Sequence, residues 1–168
     1  MSIMGWIHIG LALAALASGA VVLVRRKGTY SHRLLGYVYV ISMVGMNVTA
    51  LSIYRLTGSF GAFHVGAIVS LLTTLAGVFV AVRRGDDWLR KHYLWMTYSY
   101  VGLLAATASE LLTRMPNAPF WWAVLLASVA VFVGGASMIR RRERESLARF
   151  AGTATAPRTP LFRSIARA

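Results

Sequence analysis

The stretch Ser31-His32-Arg33-Leu34-Leu35-Gly36-Tyr37-Val38-Tyr39 stands between two long apolar runs, at the point where the second run begins. It carries one of the four histidines of the chain, and each of the four lies near one end of a different apolar run. Imidazole is costly in lipid, so a histidine in such a run is expected to face the interior of a helix bundle. The apolar runs therefore decide the fold, and the histidines at their ends indicate the chemistry.

Five apolar stretches follow one another along the chain, at residues 3–24, 34–54, 60–82, 92–113 and 118–139. At about 1.5 Å per residue, each is long enough to cross a hydrocarbon core of roughly 30 Å. Helices are expected, because backbone groups in lipid must be satisfied internally and no segment alternates as a barrel strand does. We predict an all-α integral membrane bundle of five transmembrane helices over residues 1–139. A basic, largely disordered tail is predicted over residues 140–168, although its first part, 140–150, can continue the last helix.

Composition excludes several classes of protein. Of the 168 residues, 57% are hydrophobic and only 14% are charged, whereas soluble domains carry about a quarter charged residues. The absence of cysteine excludes disulfides, iron–sulfur clusters held by thiolates and thiolate zinc sites.

The basic residues predict the orientation of the chain. All of the 18 Lys and Arg residues except Arg55 and Arg114 lie in the connection between runs one and two, in that between runs three and four, or in the tail. The positive-inside rule then places these segments in the cytoplasm, with the N-terminus outside and the C-terminus inside a bacterial inner membrane. We expect this surface to attract anionic lipids. Nucleic-acid binding is not expected, because the charges are divided among short loops next to the membrane.

The four histidines are predicted to form two layers. His8 and His64 lie a few residues into runs that cross from outside to inside, so they should share an outer depth. His32 and His92 begin runs that cross in the other direction, so they should share an inner depth. Paired neutral imidazoles from opposing helices are typical of haem b ligands, and they also occur in zinc or copper sites. An ordinary interfacial position remains open for each histidine.

Two sets of neighbouring residues are consistent with haem without deciding for it. Small residues on the histidine faces, such as Gly19 and Gly36, either leave room for a macrocycle or allow close helix packing. Arg33, Arg90 and Lys91 can pair with haem propionates or with lipid, or can simply follow the positive-inside rule.

Glu110 is the single acid inside an apolar run, and three interpretations are open. It can join His8 and His64 in a zinc or copper site of hydrolase type. It can carry a proton for a quinone or a cofactor near the outer surface. It can instead form a structural ion pair with Arg114, four residues further along the same helix.

The chain resembles a family of uncharacterised bacterial polytopic membrane proteins grouped under a domain of unknown function. The resemblance rests on four elements, His8, the stretch His32–Tyr39, the pair Phe63-His64, and His92, and covers about residues 5–135. It implies a helical membrane protein and brings no settled activity. A looser similarity to small b-type cytochromes concerns only the two histidine layers. Those cytochromes place both layers on shared helices, while here each helix contributes one histidine.

These observations lead to three hypotheses. The first is a redox protein that binds haem b through His8/His64 and His32/His92 and passes electrons between a quinol and a partner. The second is a zinc or copper protein with its site at His8, His64 and Glu110. The third is a non-catalytic accessory subunit that packs against other membrane subunits of a larger complex.

Overall fold

Five helices make up the described part of the chain. The computed structural model describes residues 2–53 and 58–155, with side chains described as far as residue 148. The helices are α1 (Ile3–Val24), α2 (Tyr30–Leu51), α3 (Ala62–Arg83), α4 (Trp88–Thr113) and α5 (Phe120–Thr155). The predicted all-α class is confirmed, and α1 has the bounds that its apolar run predicts.

Helix α2 begins four residues before its predicted start at residue 34. Thr29 is its N-cap, and the Thr29 hydroxyl accepts a hydrogen bond of 3.2 Å from the backbone N–H of His32. Gly28 precedes this cap with a φ of 78°, a left-handed conformation that glycine adopts without strain. His32 therefore lies in the first turn of a capped helix. Helix α4 also begins early, at Trp88, so His92 lies in its second turn.

Helix α5 continues well beyond its predicted end at residue 139. It runs to Thr155, through the part of the predicted tail that can continue a helix, while residues 156–168 lie outside the described residues. Residues 136–151 contain neither glycine nor proline, and Arg and Glu in this stretch favour helix. The Arg90 Nε donates to the Glu143 Oε1 over 2.6 Å, which fastens this extension to the start of α4.

The helices run alternately up and down. Consecutive helices pack against each other from α1 to α5, and α4 also meets α1. Helices α1 to α4 thus form a closed ring, and α5 stands outside it against α4. We call the end that holds the connections 25–29 and 84–87 the basic end, and the opposite end the distal end.

The ring is filled at mid-height by a compact core. Ala15, Tyr39, Met43, Met46 and Leu103 form its buried cluster. Close van der Waals packing and the interhelical hydrogen bond between Tyr39 and Ser99 both hold the ring together here.

Two tyrosines lock α1, α2 and α4 together beside that core. The Tyr39 hydroxyl is 2.8 Å from the Ser99 Oγ, and the Tyr100 hydroxyl donates to the Leu16 carbonyl over 3.1 Å. Both rings press on Gly19 of α1, where an added Cβ would lie 2.5 Å from ring carbons of Tyr100 and 3.0 Å from one of Tyr39. Gly19 is thus a close-packing position and leaves no room for a macrocycle.

Among the described residues, four helices are long and apolar enough to cross a membrane, namely α1, α2, α3 and the part Phe120–Ala148 of α5. Helix α4 is less apolar, because it carries Arg90 and Lys91 near its start and a series of polar residues along its length. Its polar side chains Thr97, Ser99 and Ser109 are buried. Helix α4 touches α1, α3 and α5, so these groups face protein rather than the surroundings of the bundle.

Candidate cofactor site

The bundle places two histidines at each end. His32 and His92 lie near the start of α2 and α4, at the basic end, and His8 and His64 lie near the start of α1 and α3, at the distal end. The two ends therefore contain the same residue types on the same pattern of helices. Their hydrogen bonds differ.

The His92 ring is oriented by a neighbouring helix. Its Nδ1 lies 2.9 Å from the Gly77 carbonyl oxygen of α3. Because a carbonyl can only accept a hydrogen bond, Nδ1 must carry the proton and donate it. The neutral imidazole then has its lone pair on Nε2. A histidine that binds a metal is usually held in this way, by a hydrogen bond from its other nitrogen to a carbonyl or carboxylate.

His32 brings a second imidazole to the same end, with a buried nitrogen to spare. Its Nδ1 is buried and has no hydrogen-bond partner among the described residues. Buried polar atoms are nearly always paired, so an exception calls for an explanation such as a missing ligand. His32 is close enough to His92 and to Lys27 to interact with both electrostatically. Both neighbours are bases, and no acid is among the groups that act on His32.

Lys27 is the third basic group at this end. Its Nζ donates to the last carbonyls of α1, at 2.5 Å to Val22 O and 3.1 Å to Leu23 O. A cation is favourable at a helix C-terminus, where the macrodipole is negative. Burial lowers the pKa of Lys27 to about 8. The side chain is therefore anchored at the rim of the ring, beside the inner face of α2.

His8 at the distal end is also oriented by its neighbour. Its Nδ1 lies 3.1 Å from the Met46 carbonyl and 3.0 Å from the Thr49 Oγ1. The Thr49 hydroxyl itself donates to the Met46 carbonyl over 2.8 Å. The His8 Nδ1 consequently carries the proton and donates it to these oxygens, which leaves a lone pair on Nε2.

His64 has a different role. The Gly61 backbone N–H donates to the His64 Nδ1 over 3.2 Å, so the side chain caps the start of its own helix. The ring is 3% exposed and lies against Phe60, with ring centroids 5.1 Å apart. Since Nδ1 accepts, the neutral ring carries its proton on Nε2. Binding a metal through Nε2 would require this proton to move and the Gly61 hydrogen bond to break.

Glu110 is occupied by an ion pair. The Arg114 guanidinium lies 2.5 Å from the Glu110 Oε1, and both side chains are more than two-fifths exposed. This is the third of the interpretations that the sequence left open. Within residues 2–53 and 58–155, no group of three or more His, Asp or Glu side chains is arranged to hold a metal ion. The structure thus does not bring His8, His64 and Glu110 together as a three-ligand site.

Arg33, Arg90 and Lys91, the cations predicted to pair with haem propionates or lipid, lie at the basic end. Two of them already have partners within the protein, and the third is exposed to the surroundings. Arg90 pairs with Glu143, and the Lys91 Nζ donates to the Asp86 carbonyl over 2.9 Å. Arg33 is exposed. None of these contacts directs the three cations toward the histidine pair.

The space that a planar group could occupy at the basic end differs between the α3 side and the α2 side of the site. Gly77 faces Met96, whose Sδ lies 2.5 Å from where a Cβ would be, so this position is filled. Gly36, four residues after His32 and hence on the same helix face, has nothing within 4 Å of such a Cβ. The open side of the site is therefore next to α2.

Lys27 is not among the site residues predicted from the sequence, where it is one of the basic residues that indicate orientation. A signal was present, because Gly28 and Thr29 mark a tight turn and a helix cap directly after it. Such a turn keeps the lysine against the end of α1, instead of extending it into solvent.

Comparison with protein families decides where the chain belongs. Residues 5–141 match the model of a family described as predicted membrane protein (DUF2306). The chain belongs to the DUF2306 family. It is accordingly a multi-pass helical membrane protein, which agrees with the apolar helices and with the resemblance noted from the sequence. Searches of curated proteins and of solved structures found no match.

Proposed function

We propose that this DUF2306 protein binds haem b through its paired histidines and acts in electron transfer in a bacterial inner membrane. The observation that carries the proposal is the arrangement at the basic end. His92 presents an imidazole whose Nδ1 is fixed by the Gly77 carbonyl, and His32 beside it has a buried nitrogen without a partner. Two neutral imidazoles on opposite helices of a ring, one of them held by a hydrogen bond, would serve as the ligand set of a six-coordinate haem.

The proposal treats all five helices as membrane spans. Helix α4 is the least apolar, yet it has 26 residues and lies between α1, α3 and α5. A span surrounded by protein tolerates polar residues that a lipid-exposed helix does not. With five spans, the positive-inside rule places the N-terminus outside and the basic end in the cytoplasm.

Haem bound at this end would supply a one-electron couple. The protein residues would bind the haem and fix its position. His32 and His92 would hold the iron, and the Gly77 carbonyl would keep His92 in the correct tautomer. The exposed connection 25–29 would leave an edge of the site near the membrane surface, where a quinol or a protein partner has access. The exposed cations around it would attract anionic lipid.

A second haem between His8 and His64 is less well supported by the geometry. His8 is oriented for ligation, while His64 caps α3 through the nitrogen that a haem ligand would need to protonate. We therefore assign the primary site to the basic end. The distal pair can ligate only if the start of α3 rearranges.

The test is an absorption spectrum of protein purified in mild detergent after expression with added haem precursor, first oxidised and then reduced with dithionite. A Soret band with sharp α and β bands on reduction is the expected result. A featureless spectrum from folded protein would refute haem binding. Metal analysis of the same sample would then test the zinc or copper alternative.

A second candidate function is that of an accessory subunit, and α5 favours it. This helix stands outside the ring and packs mainly against α4, with one further ring contact between Phe120 and Phe63 of α3. Its outer face carries Trp121, Trp122 and Val133, which are 70%, 61% and 66% exposed. Either lipid or another membrane subunit can cover such a face. Co-purification of partner chains with wild-type protein, lost when Val133 and its neighbours are changed, would support this role.

A further inference from the structure

We propose that the basic end binds an anionic oxygen group, a carboxylate or a phosphate, between Lys27 and His32. The carboxylate form rests on the proposed function, since it would be a haem propionate. The phosphate form, from a lipid head group, is independent of haem. Both sources offer the same chemistry to the protein.

The charge balance at this end is the first support. Lys27 and His92 are the titratable groups that act on His32, and both are bases. None of the five acids is among these groups: Glu110 is at the distal end with Arg114, Glu143 pairs with Arg90, and Asp86 and Asp87 lie at the basic end without acting on His32. The Lys27 ammonium without a compensating carboxylate is costly in a partly buried place. A bound anion removes that cost.

Unused hydrogen-bond donors are the second support. The Lys27 ammonium has three N–H groups, and the Val22 and Leu23 carbonyls take two of them. The His32 Nδ1 is buried and unpaired, and it becomes a donor when the ring carries its proton there. An anionic oxygen beside both groups would satisfy the two donors at once.

Position is the third support. Lys27 lies in the connection between α1 and α2, at the level where phosphates of a surrounding bilayer would meet the bundle. Its pKa of about 8 keeps the ammonium the major form at neutral pH. Arg90 and Lys91 at the same end are held by Glu143 and by the Asp86 carbonyl. Lys27 is thus the half-buried cation that acts on His32 and keeps one N–H for an anion.

The experiment uses the full chain in nanodiscs and compares wild type with Lys27→Gln, Lys27→Arg and Arg26→Gln. Arg26 is the matched control, because it is adjacent, carries the same charge and is exposed. In the first arm, native mass spectrometry measures binding of phosphatidylglycerol against a phosphatidylcholine background. In the second arm, Soret titrations measure the affinity for haem b and for its dimethyl ester, which lacks the propionate charges.

The expected result is a loss of about tenfold in affinity for Lys27→Gln in at least one arm, the size of one charge-assisted hydrogen bond. Lys27→Arg should keep most of the affinity, and Arg26→Gln should match wild type. A loss in the lipid arm identifies a head-group phosphate. A loss in the haem arm that disappears with the dimethyl ester identifies a propionate.

Equal behaviour of Lys27→Gln and Arg26→Gln in both arms would overturn the proposal. Should wild type bind no haem, the proposed function fails while the lipid arm still decides the anion site. Lys27 also caps α1, so thermal unfolding of each variant is measured alongside. If Lys27→Gln unfolds, Lys27→Met and the charge-preserving Lys27→Arg are compared instead, and equal lipid binding by these two overturns the proposal.

Discussion

The basic end and the distal end of this bundle hold the same two residues on equivalent helices, and yet they form different sites. At each end one histidine, His92 or His8, donates from Nδ1 to a carbonyl of the neighbouring helix. The second histidine differs. His32 has a buried nitrogen without a partner beside two other bases, whereas His64 accepts a hydrogen bond from the start of its own helix. The state of Nδ1 therefore decides what each histidine can bind. It donates in His92 and His8, accepts in His64, and has no hydrogen-bond partner among the described residues in His32.

The largest expected difference between the ends is in haem binding. His92→Ala removes a proposed ligand and should abolish the low-spin spectrum with its sharp α band on reduction, because the remaining imidazole cannot complete the low-spin pair. His64→Ala should keep the band, since that ring serves as a helix cap. Both variants are compared by absorption spectra at equal protein concentration, with circular dichroism to check helix content. Equal loss in the two variants would place haem at both ends and break the distinction.

The effect of a Gly→Ala substitution on stability should also differ between the two halves of α1. Gly19→Ala places a Cβ against the Tyr100 and Tyr39 rings, which must shift. We expect the free energy of unfolding in mixed micelles to fall by about 2 kcal/mol, as for other overpacked sites. Gly10, nearer His8, has nothing within 4 Å of an added Cβ and is the matched control. A Gly10→Ala variant as unstable as Gly19→Ala would show that backbone flexibility, rather than the tyrosine contact, matters.

A smaller change in stability is expected when one hydrogen bond of the tyrosine pair Tyr39 and Tyr100 is removed. Tyr39→Phe deletes the hydroxyl that contacts the Ser99 Oγ, but Ser99 keeps its hydrogen bond to the Met96 carbonyl. We expect a loss of about 1 kcal/mol in the free energy of unfolding. Tyr37→Phe is the control, since Tyr37 is 66% exposed. An equal change for both variants would mean that the hydrogen bond adds no stability.

Lys27 should make the stability of the basic end depend on pH. Burial lowers its folded pKa to about 8 from the usual value of 10.5, so between these values the unfolded chain binds more protons than the folded one. The free energy of unfolding should therefore rise as pH increases from 8 to 10.5 and be flat in this respect below 8. Thermal unfolding of wild type and Lys27→Gln across this range measures it. Parallel curves for the two proteins would contradict the assignment.

The smallest effect is expected at the distal surface. Glu110→Gln breaks an exposed ion pair with Arg114, and exposed pairs of this kind contribute less than about 0.5 kcal/mol. Haem absorption and metal content should not change. A variant that loses bound metal would instead restore Glu110 as a ligand, and this would contradict the ion-pair role.

The sequence predicts the helices well, because lipid leaves few alternatives for long apolar runs. It predicts α1 at the bounds observed, but it starts α2 and α4 too late, since hydropathy does not register a polar first turn such as the one that Thr29 caps. The depth of each histidine also follows from its place in a run. The partner of each imidazole does not, because the Gly77 and Met46 carbonyls are backbone atoms and carry no sequence signal.

The polar character of α4 has a consequence for how the protein is made. A nascent helix enters lipid on its own only when its apolar residues outweigh its charged ones, and α4 carries Arg90, Lys91, His92 and Glu110. Its buried face finds partners on α1 and α3, which are synthesised first, and on α5, which follows. We expect α4 to remain beside the translocon until α5 emerges, so that the two leave together as a hairpin held by the Ser109–Ser128 contact of 3.4 Å. Truncation after residue 119 should then leave α4 poorly inserted, although its own sequence is intact.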